Sequence, residues 1–111
     1  MDLSSLKENN YWLIKINGDL DASSSVVLDN EIERLIENKE KYILVDCQHL
    51  NYISSAGLGV FMSYLQDLID KNISMQLFNL SVKVLEVFKI LGLDDLIDIV
   101  KNKEEAIESI K

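Results

Sequence analysis

Apolar and polar positions alternate over residues 11–16, with Trp12, Ile14 and Ile16 on one side and Tyr11, Leu13 and Lys15 on the other. A period of two marks a strand. Residues 3–7 form a weaker strand pattern, and Glu8, Asn9 and Asn10 between the two suit a tight turn, because asparagine tolerates positive φ. The chain is therefore expected to open with a hairpin whose second strand ends at Gly18, Asp19, Leu20 and Asp21. The period then changes. Leu28, Ile32, Leu35 and Ile36 recur at three- and four-residue steps, with Asp29, Glu31, Glu33, Arg34 and Glu37 elsewhere, as on an amphipathic helix. Ser23, Ser24 and Ser25 precede it as a start signal, and residues 38–41 turn the chain onward.

A compact run, Ile43, Leu44 and Val45, reads as a buried strand closed by Asp46 and followed by a short polar connector. Ser54, Ser55, Ala56, Gly57, Leu58 and Gly59 lead into one helix, whose stripe is Leu58, Phe61, Met62, Leu65, Leu68 and Ile69. Lys71 and Asn72 end it. Ile73, Met75 and Leu77 alternate with Ser74 and Gln76 as another strand. Ser81 can start a further helix with Val84, Leu85, Phe88 and Leu91 inside and Gly92 as its stop. Residues 96–100 suit a short edge strand. Asn102 and Glu105 have the spacing of a capping box before a terminal helix that packs through Ala106 and Ile110. Strands alternating with helices after a hairpin predict an α/β fold with a mixed sheet, a single domain over residues 1–111. Burial is expected for Trp12, Ile14, Leu44, Val45, Leu58, Leu65, Leu77 and Phe88.

Charge narrows the function. A net charge of −8 opposes a nucleic-acid surface, which needs a basic face. No apolar run reaches the length of a membrane span, and the first residues lack the basic and apolar regions of a signal peptide. The single cysteine, Cys47, rules out an internal disulfide. The expected location is cytoplasmic, where thiols stay reduced, with no membrane insertion.

The inventory supports neither a catalytic nor a metal site. Asp46, His49 and Ser55 are the residue types of a hydrolase triad, but Ile53 stands where a nucleophile elbow needs glycine. Residues 57–59 lack the third glycine of a dinucleotide loop and the lysine of a phosphate-binding loop. Cys47 and His49 have no second pair for zinc, and Cys47 reads as a small buried apolar residue. Ser55 lies at a helix start, where a hydroxyl can satisfy a free backbone N–H and where the dipole favours an anion. Asp19 and Asp21 suit a turn and a helix cap without any partner.

Asp46, Tyr52, Ile53, Ser54, Ser55, Ala56, Gly57 and Leu58 together resemble the core motif of the STAS domain, the fold of bacterial anti-sigma factor antagonists. Gly18, Asp19, Leu20 and Asp21 resemble a second signature of that family. The best-known members carry aspartate before the serine, where this chain has Ser54. The resemblance implies helices gathered mainly on one face of the sheet, with both motifs at one end of it. It implies that Ser55 is phosphorylated by a cognate anti-sigma factor serine kinase and dephosphorylated by a serine phosphatase. The unphosphorylated form would bind the kinase and free its sigma factor, through a surface including Asp19, Asp21, Ser54, Ala56 and Gly57. The chain would be no enzyme and would need no cofactor, since the kinase brings ATP and magnesium. Two other readings stay open: a STAS module of a lipid-transport or stress-sensing assembly without a phosphoswitch, and a small enzyme or nucleotide binder using residues 54–59.

Overall fold

The alternating segment becomes β2 (Tyr11–Leu20), and the sheet is laid out from it. In the computed structural model, which describes residues 1–110, β1 (Asp2–Glu8) folds back antiparallel on β2 through a turn where Asn9 takes a φ of 50°. β3 (Tyr42–Ile53), β4 (Ser74–Phe78) and β5 (Asp98–Ile99) follow, each parallel to its predecessor. The five strands lie in chain order, β1-β2-β3-β4-β5. The intervening helices are α1 (Ser25–Glu37), α2 (Ser55–Ser63), α3 (Leu65–Asp70) and α4 (Val82–Ile90), and α5 (Lys103–Ser109) comes last.

This order explains the layering. Parallel crossovers are almost always right-handed, so successive steps in one direction place their helices on the same face. Leu28, Ile32, Leu35, Leu58, Phe61, Val84 and Phe88 accordingly share one core with Ile14, Ile16, Ile43, Val45 and Leu77. The other face carries a smaller core, where Ala106 and Ile110 cover Tyr11, Leu13, Leu44 and Phe78. The expected mixed sheet with helices mainly on one face is thus found. Asn102 caps α5 through its side-chain oxygen, which accepts the Glu105 N–H at 2.9 Å. Lys103 fastens the helix to the sheet through Glu8 at 2.9 Å, and that bond holds the Glu8 carboxyl below its usual range.

Several elements depart from the expected boundaries. β2 continues through residues 18–20, and residues 47–52 are strand rather than connector. Buried positions there fall at Cys47, Leu50 and Ile53, every third residue, because register shifts in the pairing with β2 interrupt the strict alternation. The single expected helix after residue 55 breaks at Tyr64, whose hydroxyl donates to Asp29 on α1. Beyond that break Leu65 is only half-buried and Ile69 is exposed, and Met62 of α2 also faces outward. Trp12 is half-buried beneath the Arg34 guanidinium, 5.1 Å from the ring centre, instead of fully enclosed. Leu85 is half-buried and Leu91 exposed, while the edge strand shrinks to two residues behind a 3-10 turn at Leu93–Asp95.

Phe88 and Leu91 make the inner and outer sides of this region testable. Phe88→Ala should cost about 3–5 kcal/mol in denaturant unfolding, whereas Leu91→Ala should stay within about 0.5 kcal/mol of the parent. Similar losses for both would mean that α4 packs through a different face.

Candidate functional site

Parallel pairing brings the two polar motifs side by side. Asp19 stands opposite Tyr52 and Leu20 opposite Ile53. One step further, the Ser54 N–H donates to the Leu20 carbonyl at 2.9 Å. The carboxyl ends of β2 and β3 therefore feed α1 and α2 from adjoining points.

Asp21 begins α1. Its carboxylate accepts the Ser24 N–H at 2.9 Å and the Ser23 hydroxyl at 3.0 Å, while Ser24 Oγ accepts the Asp21 N–H at 2.8 Å. This is a reciprocal capping box with aspartate and serine as partners. The serines were expected to start the helix themselves; the Ser24 side chain instead caps nothing forward into α1. Hydrogen bonds from the Ser24 backbone, and then from the Ser24 and Ser23 hydroxyls, lower the Asp21 pKa from an ordinary 3.8 to about 2. Asp19 is exposed, and its carbonyl lies 3.0 Å from Ser24 Oγ.

The start of α2 divides its labour between two serines. Ser54 has extended backbone, φ −87° and ψ 173°, and its Oγ accepts the Gly57 N–H at 3.2 Å. Ser54 is thus the cap, a role that the sequence allowed for Ser55. Ser55 is the first residue of α2 and is exposed, and among the described residues its hydroxyl makes no hydrogen bond. Ala56 is exposed beside it. Gly57 is buried, and a Cβ there would lie 2.9 Å from Leu20 Cγ and Cδ2 and from Ile53 Cγ1. The glycine therefore sets the backbone at this point of α2. Leu20 is the residue that sequence reasoning passed over, although it stands between Asp19 and Asp21. Its carbonyl holds Ser54 and its side chain excludes anything larger than glycine at position 57.

The triad types do not converge. His49 is exposed and pairs across the sheet with Asn17, four strand residues before Ile53, or about 13 Å of extended chain. Asp46 Oδ1 accepts the Gln48 N–H at 3.0 Å and faces the Asn79 amide at 3.4 Å. Cys47 is buried, and burial pushes its thiol far above the usual range, so it is held protonated. Among the described residues no three His, Cys, Asp or Glu side chains group as metal ligands, and no helix is long and apolar enough to cross a membrane.

Fold and site together define a small α/β domain that presents two helix starts, one of them capped by Ser54 and followed by an exposed serine, at one end of a mixed sheet. The STAS domain family matches residues 4–106, and the chain belongs to that family. An anti-sigma-B factor antagonist of Listeria monocytogenes is 34% identical over 99 residues, which cover 88% of this chain and 85% of the relative. An anti-sigma factor antagonist from Mycobacterium paratuberculosis superposes with a TM-score of 0.88 at 12% identity, over 98% of this chain and 92% of its own. The Bacillus cell fate determinant SpoIIAA in its phosphorylated form gives a TM-score of 0.78 at 20% identity, over 99% and 100% of the two chains. The last two comparisons carry the fold alone.

Two measurements test this local architecture. Ser54→Ala should lose about 0.5–2 kcal/mol with its cap, whereas Ser55→Ala should change stability by less than about 0.5 kcal/mol; the reverse order would return the cap to Ser55. The Asp21 carboxyl has a lower pKa folded than unfolded. Its contribution is therefore complete above about pH 4 and is lost as pH falls toward about 2. Asp21→Asn keeps an accepting oxygen without that titration, so the stability difference between it and wild type should narrow across this window. A constant difference from pH 6 to pH 2 would remove the charge from the capping box.

Proposed function

We propose that this chain is an anti-sigma factor antagonist that works by binding, and that phosphorylation of Ser55 switches the binding off. In this scheme the unphosphorylated form binds an anti-sigma factor serine kinase, which releases its sigma factor. A serine phosphatase restores the phosphorylated form to binding competence. The chain contributes a surface and no catalytic group.

The observation that carries the reading is the division between the two serines. Ser54 is half-buried and committed to Gly57, so modifying its oxygen would remove the cap. Ser55 is exposed with a free hydroxyl at the first position of α2, where the helix dipole favours an anion. A phosphate there leaves the fold intact yet adds about −1.5 to −2 charges and new bulk. The added charge falls next to Asp19 at the end of β2 and Asp21 just beyond it, which extend the surface of Ser54, Ser55 and Ala56. A partner seated closely on that surface would lose contact and meet like charge or an unpaired desolvated anion. The Listeria relative bears the same function in its name.

Incubation with the kinase and ATP, followed by mass spectrometry, should place phosphate on Ser55 in wild type and Ser54→Ala but leave Ser55→Ala unmodified. Ser55→Asp should unfold within about 0.5 kcal/mol of Ser55→Ala and bind the kinase at least ~10-fold more weakly, or about 1.4 kcal/mol. Phosphate persisting in Ser55→Ala but missing from Ser54→Ala would move the switch to Ser54. No phosphate in any of the three would leave a STAS module without a phosphoswitch.

A further inference from the structure

The apolar stripe that runs from α2 into α3 is not fully absorbed by the core. α3 follows the break at Tyr64, whose hydroxyl is held by Asp29, and none of its six residues is fully buried. Leu65 and Leu68 are half-buried and Ile69 is 73% exposed. Across from them the sheet ends in β5, which is only two residues long. Between α3 and the segment that leads into β5 lies a cleft of about 410 Å³.

That volume falls within the range of about 300–1,000 Å³ usual for small-molecule sites. The buried side chains of Phe61, Ile73, Met75 and Ile97 line its depth. Leu65, Leu68 and Ile69 form one side of it, and the 61%-exposed Leu96 stands on the other. An apolar body inserted here would take all of this surface out of water. Asn72 and Asp98 are the polar residues of the lining. The Asp98 carboxylate is engaged elsewhere: it accepts the Gln76 amide at 3.2 Å. Gln76 alternates along β4 with Met75 and Leu77, which belong to the large core, so its side chain is on the other face of the sheet. The interior of the cleft therefore offers a charged group no partner.

The mouth is different. The segments that form its sides, residues 61–70 and 90–100, contain Asp67, Asp70, Asp94, Asp95 and Asp98 and no Lys or Arg. Lys39, Lys41 and Lys71 border a neighbouring depression beside Ile36, where the Lys41 ammonium donates to the Lys71 carbonyl at 2.7 Å. An anionic head at the mouth would meet like charge. A cationic head would be attracted while keeping its water.

We infer that this cleft binds a small apolar molecule carrying a cationic amine, with the apolar part inside and the ammonium among the aspartates at the rim. Phe61 lies six residues beyond Ser55, or about 9 Å along α2. The site is thus separate from the serine turn and independent of the partner-switch reading.

The test titrates the full chain with three probes that share one chain length, octylammonium, octanol and octanoate, and follows methyl and amide signals by NMR. Octylammonium should bind with a Kd of about 1 mM or tighter, octanol at least ~3-fold more weakly and octanoate at least ~10-fold more weakly. Shifts should concentrate at Leu65, Leu68, Ile73 and Leu96, and the advantage of the ammonium should shrink as salt rises. Ile69→Lys, at an exposed position, should weaken octylammonium at least ~10-fold and bring octanoate level with it or ahead. Leu96→Lys, from the other side of the cleft, should do the same if Ile69→Lys does not fold. Val82→Lys, on the 83%-exposed end of α4 and outside the cleft, should leave all three affinities unchanged. Octanoate binding wild type as tightly as octylammonium overturns the choice of a cationic ligand. Shifts centred elsewhere, binding indifferent to both lysine variants, or no saturable shift with any probe overturns the site itself.

Discussion

The hydrogen bond from the Ser54 N–H to the Leu20 carbonyl is the joint on which the candidate site depends. It extends the parallel β2–β3 pairing one step past the last paired residues, at the point where each strand turns into its helix. The same leucine presses its side chain against position 57, so α2 can leave the sheet only with glycine there. A slip of one residue in this pairing would reverse the facing of every side chain that follows. It would also separate Asp19 and Asp21 from the serines, since nothing in the local sequence ties the two motifs together.

Each helix leaving this end has unpaired N–H groups that must find acceptors. α2 is served by the Ser54 side chain, while ahead of α1 the Asp21 carbonyl takes the Ser25 N–H and its carboxylate takes the Ser24 N–H. Because these residues take the structural duty, Ser55 is left exposed at a helix start without a structural task. The proposed phosphoswitch would need that separation. Were one serine both cap and phosphoacceptor, modification would alter stability and recognition together.

The rest of the fold keeps this end fixed. Four helices stack on one face because the strands follow one another across the sheet in chain order, and their core holds α1 and α2 against β2 and β3. α5 closes the opposite face around Tyr11, Leu13, Leu44 and Phe78, with Lys103 bridging to Glu8. The sheet is therefore covered on both sides, while Asp19, Asp21, Ser55 and Ala56 at its carboxyl end stay exposed.

Patterns with a local physical cause were legible in the sequence. The strand and helix periods, the turn at Asn9, the caps at Ser81 and Asn102, and the buried Ile14, Leu44, Val45, Leu77 and Phe88 all follow from short-range spacing and burial. The family motifs could be read as well, including their order along the chain. Tertiary structure decided what depends on distant residues. The strand character of residues 47–52 comes from pairing with β2, and the break at Tyr64 comes with its hydroxyl bond to Asp29, 35 residues away. The choice of Ser54 over Ser55 as cap was invisible because adjacent serines are chemically identical. It was settled when Leu20 fixed the Ser54 backbone in an extended conformation and aimed its oxygen at Gly57. Periodicity can tell which side of an element is buried, but only the packed neighbours determine where that element begins and which of two equal side chains is left free.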